Sequence, residues 1–354
     1  MKGYVRRGAA FAALTAAVCF ASWNGYRAVQ EGSVETAAVS GRVLIPGGQA
    51  VGVALKTQGV LVVAKGSGEG GKTPLREGDV ILRVGGKDVT SSEQLSACLA
   101  DTQTDQVQML VLRGDRELTL TVPAEIDAAD GRRRLGVWVR DSTAGVGTLS
   151  YIDPQSGAYG ALGHAIVDAD TGSTLTVQDG ALLKATVVGV TRGESGRAGE
   201  LRGNFLKAGE QIGTLSVNGV YGIYGQMEQS PQTQLYPDGV PVGMRDSVET
   251  GPATIISTVD ESGPQEYAVE IVRCVRQSEP GPKGMVLRVT DSRLLEKTGG
   301  IVQGMSGSPI LQNGRLVGAV THVYLSDSAQ GYGMYIEWML EQSDRLSTVQ
   351  DSAA

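Results

Sequence analysis

Short runs of Val, Ile, Leu and Thr, each broken within a few residues by Gly, Pro, Asp or Asn, recur from about Gly41 to the C-terminus. Runs such as Thr174-Leu175-Thr176-Val177, Ala185 to Val190 and Ala253 to Val259 carry no helical period and are bounded by turn residues. With 50 glycines in 354 residues, strands are expected to be short and turns frequent. The pattern predicts a mainly β chain. Ile336 to Leu346 is the clearest helical stretch, expected to pack the end of the chain onto the body. Apolar residues at 41% and charged residues at 19% suffice for sizeable cores and exclude a charge-rich disordered chain. At about 100 to 200 residues per domain the length suggests two or three folded units. Net charge is −7, and Lys and Arg are scattered except for runs such as Arg132-Arg133-Arg134, so no nucleic-acid partner is expected. Cys98 and Cys274 form no C-x-x-C pair, and Cys19 lies in an N-terminal apolar stretch. Neither a disulfide framework nor a metal or other cofactor is expected.

Met1 to Arg7 is basic, and the uncharged, mostly apolar Gly8 to Ala21 that follows reads as an export segment. Extended through Trp23, with arginines reaching the interface, residues 1–23 form a signal peptide or signal anchor. Residues 24–40 are small and polar without periodicity, as in an extracytoplasmic tether. The protein is therefore expected to be exported, with the membrane contacted through this N-terminal segment.

The next unit, placed at 41–124, contains the strand-like Gly59-Val60-Leu61-Val62-Val63 and the run Leu75-Arg76-Glu77-Gly78-Asp79-Val80-Ile81-Leu82-Arg83-Val84-Gly85-Gly86-Lys87-Asp88-Val89. This closely resembles a PDZ domain, in which the Gly-Asp pair turns into a strand and the Gly-Gly makes a hairpin. A helix from Ser91 to Leu99 then begins with a capping Ser-Ser-Glu. The resemblance implies a peptide ligand that adds a strand to an open sheet edge beside a loop of backbone N–H groups. Ala50, Val51, Gly52 and Val53 occupy the place of that loop, with Ala50 where the family has its first glycine.

In the remaining 125–354 the chemistry concentrates at Gly304-Met305-Ser306-Gly307-Ser308-Pro309-Ile310. A serine between glycines in a tight turn exposes its hydroxyl, and the N–H groups of Gly304 and Ser306 can converge on an oxyanion. The string resembles the nucleophile segment of chymotrypsin-like proteases, with Ser308 replacing the second of two adjacent glycines and Met305 where digestive enzymes have aspartate. A base is needed near neutral pH, and the chain has two histidines. His164 precedes Ser306 by 142 residues, the histidine-before-serine order of the chymotrypsin arrangement, with room for one barrel between them. His322, 16 residues after Ser306 on an outgoing strand, is open to a packing, surface or substrate-pocket role. Asp168-Ala169-Asp170-Thr171-Gly172 reads as a hairpin turn rather than a calcium loop.

A PDZ unit followed by Ala161-Leu162-Gly163-His164-Ala165-Ile166-Val167-Asp168 and later by Gln303-Gly304-Met305-Ser306-Gly307-Ser308-Pro309-Ile310 resembles the SpoIVB peptidase family of endospore-forming bacteria. Gly318 to Leu340 matches that family's ending. The resemblance implies a double β-barrel serine endopeptidase that cleaves itself and acts between the two membranes around the forespore. There it would cleave a component of a membrane-embedded complex that processes a late sporulation sigma factor. The resemblance also points to Asp291 as the acid of the triad. Asp168, Asp170, Asp179, Asp238, Asp246 and Asp260 also lie between His164 and Ser306, and a strand-ending turn aspartate is the alternative for Asp291. The rival classes are a non-catalytic envelope adaptor built on the PDZ unit and a general envelope protease.

Overall fold

The computed structural model describes residues 41–66, 73–205, 210–229 and 235–353. The expected anchor (1–23) and tether (24–40) lie outside the described residues. Among the described residues no helix is long and apolar enough to cross a membrane.

The chain runs through β1 (Val43–Pro46), β2 (Ala50–Lys65), β3 (Val80–Val84), α1 (Ser92–Ala100), β4 (Gln106–Arg113), β5 (Arg116–Pro123), β6 (Val137–Ile152), β7 (Ala158–Ala161) and β8 (Val177–Lys184). Two of these, β2 and β6, have 16 residues each and pair antiparallel from Ala50↔Thr148 to Lys65↔Val137. On its other edge the first half of β2 pairs with β8 and its second half with β3. Gly59, at φ 83°, lies between the two stretches, where a Cβ would come within 2.7 Å of Ile81 O. The run Ala50 to Val53 is buried throughout, as in a strand covered on both faces.

The second half of β2 packs with β3, β4, β5 and α1 around Val60, Ile81, Leu95, Leu99, Met109 and Val111. Ser91 caps α1 by accepting from Gln94 N at 3.2 Å, as the sequence suggests. Asp79 of the Gly-Asp pair is fully buried, accepts from Arg76 N at 2.8 Å and holds Arg113 on β4 by two contacts of 2.7 and 2.8 Å. This is the PDZ-like unit. It does not end at Ala124, where the sequence reading divides the chain: Leu135, Val137 and Val139 join the same core. The first half of β6 completes the unit, and the second half of the same strand enters the next core with Val51, Leu149, Tyr159, Leu162 and Ile223.

Further on, Thr186–Thr191 and Glu200–Asn204 pair as a separate two-stranded sheet. The C-terminal half contains β9 (Gly251–Thr258), β10 (Pro264–Cys274), β11 (Met285–Val289), α2 (Ser292–Thr298), β12 (Pro309–Gln312), β13 (Arg315–Val323), β14 (Gln330–Tyr335) and α3 (Ile336–Ala353). Its strands close a barrel in the order β9-β10-β11-β14-β13-β12. Along β10 the buried Tyr267, Val269 and Ile271 alternate with more exposed residues, the period of a strand with one face inward. The first residues of α3 dock on the body: Trp338 Nε1 donates to Gln277 at 2.9 Å, and buried Glu337 accepts from Arg245 N at 2.8 Å. Of the two barrels expected, one closes by strand pairing. The N-terminal strands share a 13-stranded sheet that does not close, because β2 and β6 continue out of it into the PDZ-like unit.

Candidate active site

Ser306 lies in the turn before β12, with Gly304 at φ 93° and Gly307 at φ 98°. A Cβ at 307 would stand 2.1 Å from Thr148 O and 2.6 Å from Leu162 N, so a side chain there would force the turn off β6. Thr148 on β6 holds the turn at two points, donating through N to Ser306 O at 3.1 Å and through Oγ1 to Gly304 O at 2.7 Å. Gly307 N donates to Val320 O at 2.7 Å. The N–H groups of Gly304 and Ser306 have no protein acceptor among the described residues. Two unspent backbone donors beside a serine are what an oxyanion requires. Ser306 is half-buried and its Oγ donates to Thr321 O at 2.9 Å. Ser308 is fully buried and donates to Ser257 Oγ at 3.0 Å, inside the barrel. Of the two serines, Ser306 is the one a substrate can reach.

Leu162 and Gly163, both at φ 69°, deliver His164. A leucine in the left-handed region costs on the order of 1 to 3 kcal/mol and persists only where its surroundings enforce it. Here Leu162 N donates to Thr148 O at 3.2 Å and Gly163 N to Ala161 O at 2.9 Å. The Gly163 backbone lies against Thr321, whose Cγ2 would be 3.1 Å from a Cβ at that position. His164 Nδ1 is 2.8 Å from Ala165 O. A carbonyl can only accept, so Nδ1 carries the hydrogen and Nε2 keeps its lone pair, the tautomer a general base needs. The His322 ring stands 5.8 Å from that of His164, tilted by 44°. Partial burial, then the neighbouring His164 and Lys283, hold the His322 pKa below the ordinary imidazole value although the residue as a whole is exposed. Ser306, His164 and His322 thus meet around Thr321, with the Ser306 hydroxyl resting on Thr321 O instead of on the imidazole.

Asp291 is engaged elsewhere. It is the N-cap of α2, accepting from Arg293 N at 2.9 Å, and its carboxylate also takes Ala268 N at 3.3 Å and the Arg293 guanidinium at 3.1 and 2.8 Å. Arg293 first, and the backbone donors after it, hold the Asp291 pKa down at about 2. No hydrogen bond joins Asp291 to His164 among the described residues, and the acceptor on His164 Nδ1 is a backbone carbonyl. Asp168, four residues after His164, anchors the expected hairpin turn: it accepts from Thr171 N at 2.9 Å and Asp170 N at 3.1 Å and pairs with Arg140. Burial works against its charge, but Thr171 and Arg140 outweigh it and keep the pKa below the usual carboxylate range.

Ala50, Val51, Gly52 and Val53 do not form a peptide-binding loop. They are a β2 segment with β6 on one edge and β8 on the other, so no edge remains for a ligand strand. The open edge of the PDZ-like unit belongs to the first half of β6: among the described residues no strand pairs with the far side of Val137 to Asp141, which runs beside α1. The Asp141 carboxylate accepts from Ser92 N at 2.7 Å and Ser92 Oγ at 2.9 Å, tying the start of α1 to this strand. Sequence reasoning missed this edge and the role of Thr148. The signal was available in Leu135-Gly136-Val137-Trp138-Val139, a glycine leading into an alternating run with its tryptophan 68% exposed.

The sequence model of the SpoIVB peptidase S55 family matches residues 131–340, more than half of the chain. The chain belongs to this family. Membership makes it a serine endopeptidase, and the matched span contains His164, Ser306 and His322. Among solved structures, similarity is found to the PDZ domain of the SdrC-like protein of Listeria monocytogenes (20% identity, 23% of this chain and 87% of that one, TM-score 0.20). It is also found to the active form of the Rv3671c protease of M. tuberculosis (15% identity, 56% of this chain and 73% of that one, TM-score 0.32). A chymotrypsin from Cellulomonas bogoriensis is similar at 16% identity over 51% of this chain and 93% of its own, with TM-score 0.24. No curated protein matches the chain.

Proposed function

We propose that this SpoIVB-family peptidase hydrolyses peptide bonds with Ser306 as nucleophile and His164 as general base. The observation that carries the assignment is the pair of unspent N–H groups, Gly304 and Ser306, flanking a reachable hydroxyl beside a histidine whose proton sits on Nδ1. Ser306 Oγ passes its proton to His164 Nε2 as it bonds to the substrate carbonyl carbon, and the oxyanion takes the two N–H groups. The imidazolium returns the proton to the leaving amine, and a water repeats the sequence to free the enzyme. In this arrangement Ala165 O orients the imidazole and Asp291 serves the fold.

The reading extends to biology through the family. An exported enzyme would cut itself in the tether between Asn24 and Ser40 and then cleave a component of a membrane-embedded complex, as a sporulation signal. Its PDZ-like unit would take an extended peptide on the open edge of β6. Reaction with a fluorophosphonate tests the chemistry: the wild-type protein is labelled and Ser306→Ala is not, whereas an unlabelled, folded wild-type protein would leave an adaptor. Mass spectrometry of the N-termini tests self-cleavage, which requires ends before about Gly41 in wild type and not in Ser306→Ala.

A further inference from the structure

Next to the nucleophile the protein gathers a lysine, an imidazole and two tyrosine rings, while the carboxylate of the neighbouring turn, Asp327, is held within that turn by Ala329 N at 3.1 Å and Gln330 Nε2 at 2.7 Å. Thr321, whose carbonyl receives the Ser306 hydroxyl, donates its own hydroxyl to Pro282 O at 2.7 Å, and the next residue is Lys283. Lys283 Nζ lies 4.7 Å from the ring centroid of Tyr332. Tyr332 faces His322 across β13 and β14 and packs on Tyr324 at 5.4 Å between ring centroids. No salt bridge engages Lys283 among the described residues; its ammonium rests over the Tyr332 ring and is also felt by the His322 imidazole.

The edge of β13 beside this cluster is also open. β12 pairs with β13 no further than Ala319, and Val320 is taken by the nucleophile turn through Gly307 N and Ser308 O. Beyond Thr321, His322 and Val323 are paired only with β14 among the described residues. An extended chain laid along that edge would place a side chain against Lys283, His322 and the two tyrosines. A cation beside aromatic faces and an imidazole attracts a carboxylate, and partial burial strengthens the attraction.

We infer that Lys283, His322, Tyr324 and Tyr332 form a specificity pocket for an acidic side chain of the substrate, within a few residues of the bond that is cut. The inference rests on Ser306 being the nucleophile and adds the substrate class. The test uses the full chain, with active sites counted by fluorophosphonate titration. Quenched fluorescent peptides differ only in carrying Glu, Gln or Lys at successive positions on either side of the scissile bond. At one position kcat/KM for Glu should exceed that for Gln about tenfold, and Lys should be poorest. Lys283→Glu should invert the order at that position and leave the other positions indifferent. Should Lys283→Glu fail to fold, Lys283→Gln must abolish the preference for Glu over Gln. Enzyme that titrates yet cuts the Glu, Gln and Lys peptides alike at every position overturns the pocket alone, as does a Lys283 variant that keeps the Glu preference. Enzyme that does not titrate overturns the nucleophile assignment, and the pocket falls with it.

Discussion

Replacing Asp291 separates a folding role from a catalytic one. The carboxyl pKa falls from 3.8 to about 2 in the folded protein, and at about 1.36 kcal/mol per pK unit this amounts to roughly 2.4 kcal/mol. Arg293, its largest single cause, is 63% exposed, so solvent screening reduces the contribution to about 1 to 1.5 kcal/mol. Asp291→Asn keeps an oxygen for Arg293 N and loses the charge together with the Oδ2 acceptor of Ala268 N and the guanidinium, the bonds behind that shift, whereas Asp291→Ala also loses the helix cap, worth about 1 kcal/mol. Because folding lowers the pKa, the contribution is complete above about pH 4 and is lost as the pH falls toward 2. Guanidinium unfolding at neutral pH should show Asn less stable than wild type by about 1 to 1.5 kcal/mol and Ala by about 2 to 2.5. The gap between wild type and Asn should close near pH 2. Measured per titrated active site, kcat/KM should fall less than about tenfold, since the orienting acceptor of His164 is Ala165 O. A loss of about 10⁴ with unchanged unfolding would show that the carboxylate serves the imidazole, and would refute this reasoning.

Four further substitutions probe the same geometry. Ser306→Ala should lower kcat by on the order of 10⁶ with an unaltered melt, while Ser308→Ala should keep the fluorophosphonate label and lose about 1 to 3 kcal/mol of stability by orphaning the buried Ser257 hydroxyl; peptidase assays and thermal melts separate the two. Gly307→Ala, with its Cβ against Thr148 O, should displace the turn and remove labelling even where far-ultraviolet circular dichroism shows the strands intact. Thr148→Val, which loses the donor to Gly304 O, should cut kcat about tenfold or more with little change in KM, as expected when only oxyanion donors are disordered.

What could be read from the sequence was local. The Gly-Asp and Gly-Gly turns, the Ser91 cap and the glycines around Ser306 each impose their geometry within a few residues, and each forms as expected. The hairpin at Asp168 is of the same kind. Pairing partners could not be read that way. Val51 to Thr57 meets Val177 to Lys184 from more than a hundred residues away, and a buried apolar run looks the same whether its edge is open or taken. The distance between His164 and His322 is likewise set by the closure of the barrel and the bend at Leu162. Asp291 carried two competing signals, a resemblance to a catalytic acid and a position one residue before the helical Ser292-Arg293-Leu294-Leu295-Glu296-Lys297. Helix capping is the one the structure realises.

The strand with the open edge is also the strand that holds both halves of the active site. From Val137 to Asp141 β6 borders α1, at Arg140 it grips Asp168 and Asp170 beyond His164, and at Thr148 it holds the carbonyls of Gly304 and Ser306. The eight residue steps from Arg140 to Thr148 span about 26 Å of extended chain, which transmits a shift along its axis with little loss. Of the two grips, Arg140 is the one beside the open edge. Asp168 is buried and would keep its Thr171 and Asp170 donors in Arg140→Gln, so the turn should survive while its tie to β6 is released. Amide exchange over Gly163 to Thr171 should then quicken and kcat/KM fall, with Thr148 and the Ser306 turn still protected. Unchanged exchange at the His164 segment would mean that Leu162, Gly163 and the two bonds of Asn218 to Ile166 position the base without Arg140, and that β6 reaches the active site only through Thr148.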